Sequence, residues 1–302
     1  MPSYVVTRAP GKINLQLSVG PLQSDGYHPV ATVFQAVSLF DEVKVSHSSN
    51  SGINLSATGK VSDLLPLDKS NLAFKAAELM CKKFEIKDGL EISLQKEIPI
   101  AGGMAGGSAD AGATIVGIDA LFGLGLNKSE MERIGSELGA DIPFTISGGT
   151  AIGTGRGDQI TPVLSRGSYN WVLALSSSGL STPAVYKECD RLREGLTVAP
   201  PHISDSLMHA LSSGDAIALG KSLTNDLQPA ACSLKPALRL ILDVGMDYGA
   251  LGGLVSGSGP TVAFLVADEE AGLELAVALT ASGVVGSVAR ASGPVPGARI
   301  IN

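Results

Sequence analysis

The chain has 302 residues, of which 44% are hydrophobic and 17% charged, and its formal net charge is −7. This composition excludes an intrinsically disordered chain, and the acidic balance argues against nucleic acid or an anionic membrane surface as the main partner. The length predicts two domains or one large α/β unit, and for two domains we place them at residues 1–163 and 164–302.

The cysteines and the N-terminal segment predict where the protein works. Cys81, Cys189 and Cys232 are far apart and odd in number, which favours reduced thiols over a disulfide framework. The first residues, MPSYVVTRAPGKINLQ, lack the apolar run of a signal peptide. No segment has the uninterrupted apolar length of a membrane helix. We therefore expect a soluble, cytoplasmic protein.

The N-terminal region begins with a strand pattern. Residues 11–20, GKINLQLSVG, alternate polar and apolar side chains, which predicts a half-buried strand with Lys12 and Asn14 on one polar face. The segment PLQSDGYH at 21–28 predicts a turn. An apolar strand pattern returns at residues 30–40, followed by strand and polar loop up to 59.

A strand, a glycine loop and a helix are predicted next. Residues 71–84 have helical spacing, and residues 90–95 alternate as a strand that runs into the glycine loop. Beyond the loop, apolar residues at steps of four, three and four up to Phe122 predict an amphipathic helix that begins at Ser108 or Ala109.

The remaining chain mixes helices and strands. Ser129 and Glu132 fit a capping box, with Gly139 as the helix stop and Asp141 directly after it. Residues 148–157, GGTAIGTGRG, read as a glycine-rich turn. A short strand is predicted at 171–175, another at 261–266, and a helix from Glu269.

The segment PIAGGMAGGSADAG at residues 99–112 contains five glycines directly before the predicted helix. Each ordered glycine costs about 0.5–1 kcal/mol relative to alanine, so a compensating role is expected. Backbone N–H groups at a helix N-terminus with no side chains in the way form an anion site. The alternative is a tight loop in which glycine only provides positive φ.

Two common phosphate-binding signatures are absent from the sequence. The nearest approach to G-x-x-x-x-G-K-[ST], at residues 214–222, has the wrong spacing, and G-x-G-x-x-G after a first strand does not occur. The glycine loop contains no lysine. A positive charge to match an anion must therefore come from Lys12 or Lys96.

Three segments resemble the three motifs of the GHMP small-molecule kinases in order and spacing: PGKINLQLSVGPLQSDGYH, PIAGGMAGGSADAG and LVSGSGPT. They span residues 10–261. The resemblance implies an α/β (α+β) two-domain fold, with an N-terminal ATP domain like domain 2 of ribosomal protein S5 and a ferredoxin-like C-terminal domain. ATP and Mg²⁺ are the implied cofactors. Met104, Ala105 and Ala109 depart from the leucine, glycine and serine that are commoner in the family loop.

The resemblance also implies which residues bind ATP and carry the chemistry. Asp141 matches the catalytic aspartate, which accepts the proton of the attacking alcohol, and Lys12 matches the lysine beside it. Ser108 matches a serine near the phosphates and Mg²⁺, although a plain helix N-cap is an equal alternative. The implied ATP-binding positions are Pro99, Ala101, Gly102, Gly103, Met104, Ala105, Gly106, Gly107 and Ser108, with Asn71 near the adenine.

Six further residues match positions that line the substrate pocket: Asn14, Tyr27, His28, Lys96, Thr182 and Tyr186. Two aromatic side chains can sandwich a pyrimidine. Together with DGYHPV, NLAFKAAELM, GADIPF, STPAVY and NDLQP, these positions imply a small-molecule alcohol with a cytidine diphosphate moiety, used in isoprenoid precursor synthesis.

Two alternatives to this function are kept. One is a GHMP kinase of the homoserine or mevalonate type, against which Tyr27, His28 and Tyr186 argue. The other is a non-catalytic nucleotide-binding regulator, against which the presence of both Lys12 and Asp141 argues.

Overall fold

The computed structural model describes residues 2–59, 65–100 and 102–302. In this part of the chain the strands form two sheets. The larger sheet contains β1 (Tyr4–Val19), β2 (Val30–Ser48), β3 (Ile53–Gly59), β4 (Gly89–Lys96), β5 (Thr150–Thr154), β6 (Gln159–Pro162), β8 (Thr224–Asn225) and β12 (Arg299–Ile300). The smaller sheet contains β7 (Tyr169–Leu175), β9 (Gly252–Val255), β10 (Val262–Val266) and β11 (Ser287–Gly293), in the order β11-β7-β10-β9.

Helices alternate with these strands, so the predicted mixture of α and β structure is confirmed. They are α1 (Leu72–Lys83), α2 (Gly106–Phe122), α3 (Lys128–Ser136), α4 (Ile142–Ser147), α5 (Thr182–Leu192), α6 (Asp205–Ser213), α7 (Ala216–Ser222), α8 (Gln228–Leu234), α9 (Ala237–Asp247) and α10 (Glu269–Ser282). Across the described ranges, no helix combines the length and apolar character needed to cross a bilayer.

Strands β1 and β2 form the long antiparallel pair at the centre of the larger sheet. The pairing register shifts between Pro10 and Gly11 and again between Asn14 and Gln16, so two irregularities bracket Lys12 and Asn14. The expectation that these two side chains share a face is confirmed, because Lys12 Nζ donates a hydrogen bond to Asn14 Oδ1 at 2.8 Å. Such irregularities commonly re-aim side chains next to functional sites.

Helix α2 packs between the larger sheet and helices α1, α3 and α4. It begins at Gly106, earlier than predicted, and is buried on nearly all sides, so the prediction of an amphipathic helix was wrong. Gly117 illustrates the tight packing: a Cβ there would lie 2.8 Å from a methyl group of Val45 in β2. A helix enclosed on nearly all sides needs no continuous polar face, which is why most of its residues are apolar or small, with Asp110 and Asp119 as its charged residues.

Two local predictions are corrected by the structure. The capping box of α3 uses Asn127 and Glu130 instead of Ser129 and Glu132, because the helix begins at Lys128 and Ser129 already lies in its first turn. The segment 148–157 is not only a turn. Its residues 150–153 pair with β2, which supplies an open edge there, and the glycine-rich turn is confined to the β5–β6 connection.

The two sheets are directly connected. Trp171 Nε1 in β7 donates a hydrogen bond to Gln35 Oε1 in β2 at 2.9 Å, and both residues are buried. Strands β8 and β12 come from the C-terminal half of the chain but pair with β1. Strand β6 ends at Pro162 and β7 of the other sheet begins at Tyr169. The division at residue 163 stays a prediction.

Candidate active site

The glycine loop lies between β4 and α2 and packs against the loop after β9. Gly103 has φ +76°, and a Cβ there would lie 2.2 Å from the carbonyl oxygen of Ser256, so only glycine fits. Ser256 Oγ donates to Gly103 O at 3.1 Å, and Thr261 N donates to Gly102 O at 3.3 Å. Close contact between two loops therefore accounts for part of the glycine content.

The first turn of α2 presents its backbone N–H groups without a side-chain cap. The capping residue is Ala105, which has φ +59° and no side-chain oxygen to accept a hydrogen bond from the first turn. The first N–H groups of a helix have no partner within the helix, and the helix dipole adds positive potential there. Gly106 and Gly107 carry no side chain to cover these donors. This end of the 17-residue helix can therefore bind phosphate oxygens.

A cleft of about 570 Å³ opens in front of this helix end. Its walls come from β1, the glycine loop, the start of α4, α5 and the loop after β9. Twelve of the predicted site residues line it: Lys12, Asn14, Pro99, Gly102, Gly103, Ala105, Gly106, Gly107, Ser108, Asp141, Thr182 and Tyr186. Thr182 Oγ1 lies 2.8 Å from Ser258 Oγ, which joins α5 to the loop after β9.

Lys12 and Asp141 both line the cleft and are close enough to interact electrostatically. Lys12 is buried, and its Nζ lies 5.4 Å from the centre of the Phe34 ring. Burial lowers the pKa of Lys12, and the negative charge of Asp141 offsets part of that effect. Asp141 is partly exposed to the cleft and makes no capping hydrogen bond at the start of α4. A carboxylate and an ammonium group are thus available to the same ligand.

Lys96 does not line the cleft, contrary to its predicted substrate contact. Its side chain is 1% exposed, and its Nζ donates to Asp110 Oδ2 at 2.6 Å, to Asp41 Oδ2 and to Gly106 O at 3.3 Å. Burial alone would lower the pKa of Lys96, but Asp110 and Asp41 together raise it. The ammonium group is already fully used in holding the start of α2, so we assign Lys96 to the support of the loop.

The two carboxylates around Lys96 join different parts of the loop to the sheet. Asp41 Oδ1 in β2 accepts from the backbone N–H of Glu97 at 2.7 Å and of Ile98 at 2.9 Å, where the chain enters the loop. Asp110 lies one turn into α2, and burial raises its pKa to about 8 despite the opposing charge of Lys96. The Lys96 cluster, defined as Lys96, Asp41 and Asp110, therefore fixes both ends of the glycine loop.

Two predicted ATP-binding residues, Asn71 and Met104, do not line the cleft. Asn71 is buried and caps α1: its Oδ1 accepts from Ala73 N at 2.8 Å and its Nδ2 donates to Pro66 O at 2.9 Å. Each polar group of Asn71 thus makes one hydrogen bond that holds the start of α1, and its contact with adenine stays a prediction. Met104 packs its side chain in the core. Ala101 lies outside the described residues.

Tyr27 and His28 line a neighbouring cavity of about 350 Å³ instead of the cleft itself. The rings of His28 and Tyr186 are 5.1 Å apart and tilted, and Tyr186 faces the cleft, so the two spaces adjoin at this pair. His28 Nε2 lies 2.8 Å from Asp190 Oδ1 on α5. Burial raises the pKa of Tyr186 to about 12.

Sequence reasoning missed Arg156, which lines both the cleft and the neighbouring cavity. Its position in the β5–β6 turn, within GTGRG, gave only the signal of a glycine-rich turn. Arg156 contacts the Tyr27 ring, but the two residues are far apart in the sequence, so no local pattern predicts that they meet.

Comparison with known proteins gives consistent matches over the whole chain. The family profile for the GHMP kinases N terminal domain matches residues 71–149, and that for GHMP kinases C terminal matches residues 207–285. The 4-diphosphocytidyl-2-C-methyl-D-erythritol kinase of Rhodococcus jostii (strain RHA1) is 50% identical over 304 residues, covering 100% of this chain and 96% of the relative.

Solved structures agree with this assignment. A crystal structure of a 4-(cytidine 5'-diphospho)-2C-methyl-D-erythritol kinase superposes with a TM-score of 0.78 and 28% identity, covering 95% of this chain and 98% of that chain. A homoserine kinase from Cytophaga hutchinsonii has a TM-score of 0.77 at 20% identity, covering 100% and 98%, and shows the shared fold alone. The predicted two-domain GHMP kinase fold is confirmed. The chain belongs to the GHMP kinase family and, within it, to the 4-diphosphocytidyl-2-C-methyl-D-erythritol kinases.

Proposed function

We propose that this kinase transfers the γ-phosphoryl group of ATP to the 2-hydroxyl of 4-diphosphocytidyl-2-C-methyl-D-erythritol. The observation that carries the proposal is the convergence of Lys12, Asp141 and the first turn of α2 on one cleft. The high identity to a relative of that name over the full chain supports this acceptor above homoserine or mevalonate. The same convergence speaks against a non-catalytic regulator.

Each group in the cleft has a distinct chemical role in this proposal. The Asp141 carboxylate accepts the proton of the attacking hydroxyl group. The Lys12 ammonium group offsets negative charge on the phosphoryl group during transfer, and the N–H groups at the start of α2 hold the remaining phosphates. Phosphoryl transfer needs mainly positioning and electrostatic stabilisation, and a buried site strengthens both.

Mg²⁺ is part of the proposal, and the residues present fit a metal held mainly by the nucleotide. Among the described residues, no three His, Cys, Asp or Glu side chains form a cage for a cation. Mg²⁺ typically uses one or two protein oxygens together with phosphates and water, and the Ser108 hydroxyl on the cleft wall can provide one. When bound, the metal neutralises phosphate charge.

Tyr27, His28 and Tyr186 are proposed to bind the cytosine ring. The adjoining His28 and Tyr186 rings provide flat surfaces next to the cleft, and each stacked base is worth about 1–3 kcal/mol. Asn14 and Thr182 on the cleft walls are proposed to contact the rest of the acceptor.

The proposed partner and location follow from charge and thiol state. The net charge of −7 supports a small-molecule partner bound in a local positive site instead of a nucleic acid. Cys81, Cys189 and Cys232 are free thiols, which supports activity in the reducing cytoplasm.

An assay of ADP release with a panel of alcohols tests the function. We expect turnover with 4-diphosphocytidyl-2-C-methyl-D-erythritol, inhibition by cytidine diphosphate, and no turnover with homoserine or mevalonate. The Asp141→Asn variant should bind ATP normally but turn over about 10²–10⁴-fold more slowly. Turnover of homoserine or mevalonate alone would contradict the proposed acceptor, and an Asp141→Asn variant as active as the parent would contradict the proposed base.

A further inference from the structure

Arg156 occupies the junction between the cleft and the neighbouring aromatic cavity. Among the described residues that line the cleft, Lys12 and Arg156 are the two with lysine or arginine side chains. Lys12 lies beside Asp141, at the proposed reaction centre. Arg156 therefore supplies the other full positive charge of the cleft at the end nearer to Tyr27 and His28.

The guanidinium group of Arg156 is held by two weak contacts that leave most of its donors free. Its Cζ lies 3.6 Å from the centre of the Tyr27 ring, a cation–π contact that holds the guanidinium group against this aromatic side chain. Nη2 lies 3.3 Å from Asp25 Oδ2, and both side chains are about half exposed, at 54% and 50%. An exposed pair of this kind contributes little energy, so a stronger anion can replace Asp25.

The β5–β6 turn that carries Arg156 is itself attached to the first residue of β2. Gly155 O accepts from the backbone N–H of Val30 at 2.9 Å. Arg156 N donates to Asp158 Oδ1 at 3.2 Å within the turn. The arginine is thus positioned relative to Tyr27 by backbone contacts as well as by its own ring contact.

We propose that Arg156 binds the diphosphate group of the acceptor substrate, an inference that rests on the proposed function. The reacting hydroxyl must lie near Asp141, and the cytosine near Tyr27 and His28. The diphosphate connects these two parts, so it must pass the junction where Arg156 lies. A planar guanidinium group forms paired hydrogen bonds to phosphate oxygens, which a lone ammonium group cannot match.

Binding of two probes to Arg156→Met distinguishes this role from a merely structural one. Calorimetry with cytidine and with cytidine 5'-diphosphate compares the same base with and without the charged group. We expect the variant to bind cytidine 5'-diphosphate at least tenfold more weakly while its affinity for cytidine changes less than twofold. The affinity for ATP should also stay within twofold. Arg156→Gln should give the same pattern.

Arg191→Met is the matched control, because Arg191 is also an exposed arginine paired with a carboxylate, Glu188, but lines neither cavity. It should bind both probes as the parent does. If a fully folded Arg156→Met variant loses equal affinity for cytidine and cytidine 5'-diphosphate, Arg156 only supports Tyr27. If it binds both probes as the parent does, Arg156 has no role in binding them. Either result overturns the proposal. Failure of the parent to turn over the proposed acceptor would instead contradict the proposed function.

Discussion

Two buried lysines lie on opposite sides of the glycine loop, and they differ in how their charge is balanced. Lys96 donates to Asp41 and Asp110, and these carboxylates raise its pKa although burial opposes them. Lys12 donates to the neutral amide oxygen of Asn14, and its pKa is lowered by burial. All three donors of the Lys96 ammonium group therefore have acceptors, two of them on acidic side chains. Within the described part of the chain, the Lys12 ammonium group has no carboxylate within hydrogen-bond distance.

This difference explains which lysine can serve the reaction. A buried ammonium group that lacks a direct carboxylate partner is costly in the free protein, and it gains most when an anion binds. An ammonium group already bonded to two carboxylates gains little from a phosphate. Lys96 therefore stabilises the glycine loop from the protein interior, while the side chain of Lys12 lies in the cleft. The backbone N–H of Lys12 also donates to Met104 O at 3.1 Å.

Removal of the Lys96 charge should have the largest effect on stability. Lys96→Met leaves Asp41 and Asp110 buried without their cation, and breaking a buried ion pair in this way costs about 3–5 kcal/mol. Urea denaturation measures the free energy of unfolding. Lys128→Met, at an exposed lysine whose Nζ donates to Ser147 O, should change it by less than about 0.5 kcal/mol. A Lys96→Met variant as stable as Lys128→Met would remove the distinction between the two lysines.

Lys12→Met should show the opposite pattern. It removes a buried charge that has no carboxylate partner among the described residues, so the melting temperature should not fall. The kcat should fall about 10²–10³-fold, a loss of about 2.7–4 kcal/mol of transition-state stabilisation, because the phosphate charge is no longer offset. Steady-state kinetics and thermal denaturation of one preparation measure both. A variant that melts well below the parent, or keeps its kcat, would contradict the role given to Lys12.

Asp110→Asn should change how the stability of the protein depends on pH, which tests whether Asp110 keeps its proton in the Lys96 cluster. Asp110 has a pKa of about 8 in the folded protein against an ordinary value of 3.8, so between these values the folded state keeps a proton on the Asp110 carboxyl group that the unfolded state loses. The parent therefore loses stability as pH rises from about 4 to 8, at up to about 1.4 kcal/mol per pH unit. The Asp110→Asn variant should not lose stability in this way, because asparagine does not ionise in this pH range.

Unfolding free energies at pH 5 and pH 8 test this expectation. The stability of Asp110→Asn relative to the parent should be higher at pH 8 than at pH 5 by about 1 kcal/mol or more. A difference between the two proteins that does not change with pH would show that Asp110 is ionised throughout.

Ala105→Gly should have the smallest effect on stability, because it changes only the backbone of one residue in the glycine loop, directly before α2. Ala105 has φ +59°, where a Cβ costs about 1–2 kcal/mol, while glycine loses about 0.5–1 kcal/mol in backbone entropy. The variant should be more stable by about 0.5–1 kcal/mol. Ala120→Gly, within α2, should instead lose about 0.5–1 kcal/mol. Thermal denaturation that shows both variants destabilised alike would contradict the strain assigned to Ala105.

The sequence predicted the elements that local patterns encode. Strand alternation placed Lys12 beside Asn14, and the glycine spacing located the start of α2 to within about three residues. The ordered motifs predicted the GHMP kinase fold. The cleft residues near these motifs were brought together as expected, although their roles remain predictions.

The failures concern properties that depend on tertiary contacts. Lys96 was placed at the substrate through the family resemblance, but Asp41 from β2 and Asp110 from α2 reach it only in the folded chain. Arg156 meets Tyr27 across more than a hundred residues of chain, so no local pattern could reveal it. Asn71 was predicted near the adenine, but it caps α1 and donates to Pro66 O, contacts that the predicted role did not include.

A crystal structure with a non-hydrolysable ATP analogue measures the central difference between the two lysines directly. The account predicts that the phosphates contact the N–H groups of residues 106–108, that Lys12 Nζ lies within about 2.7–3.2 Å of a γ-phosphate oxygen, and that Lys96 keeps both carboxylate partners. A triphosphate bound away from α2, or one that draws Lys96 off Asp41 and Asp110 while Lys12 makes no contact, would contradict it.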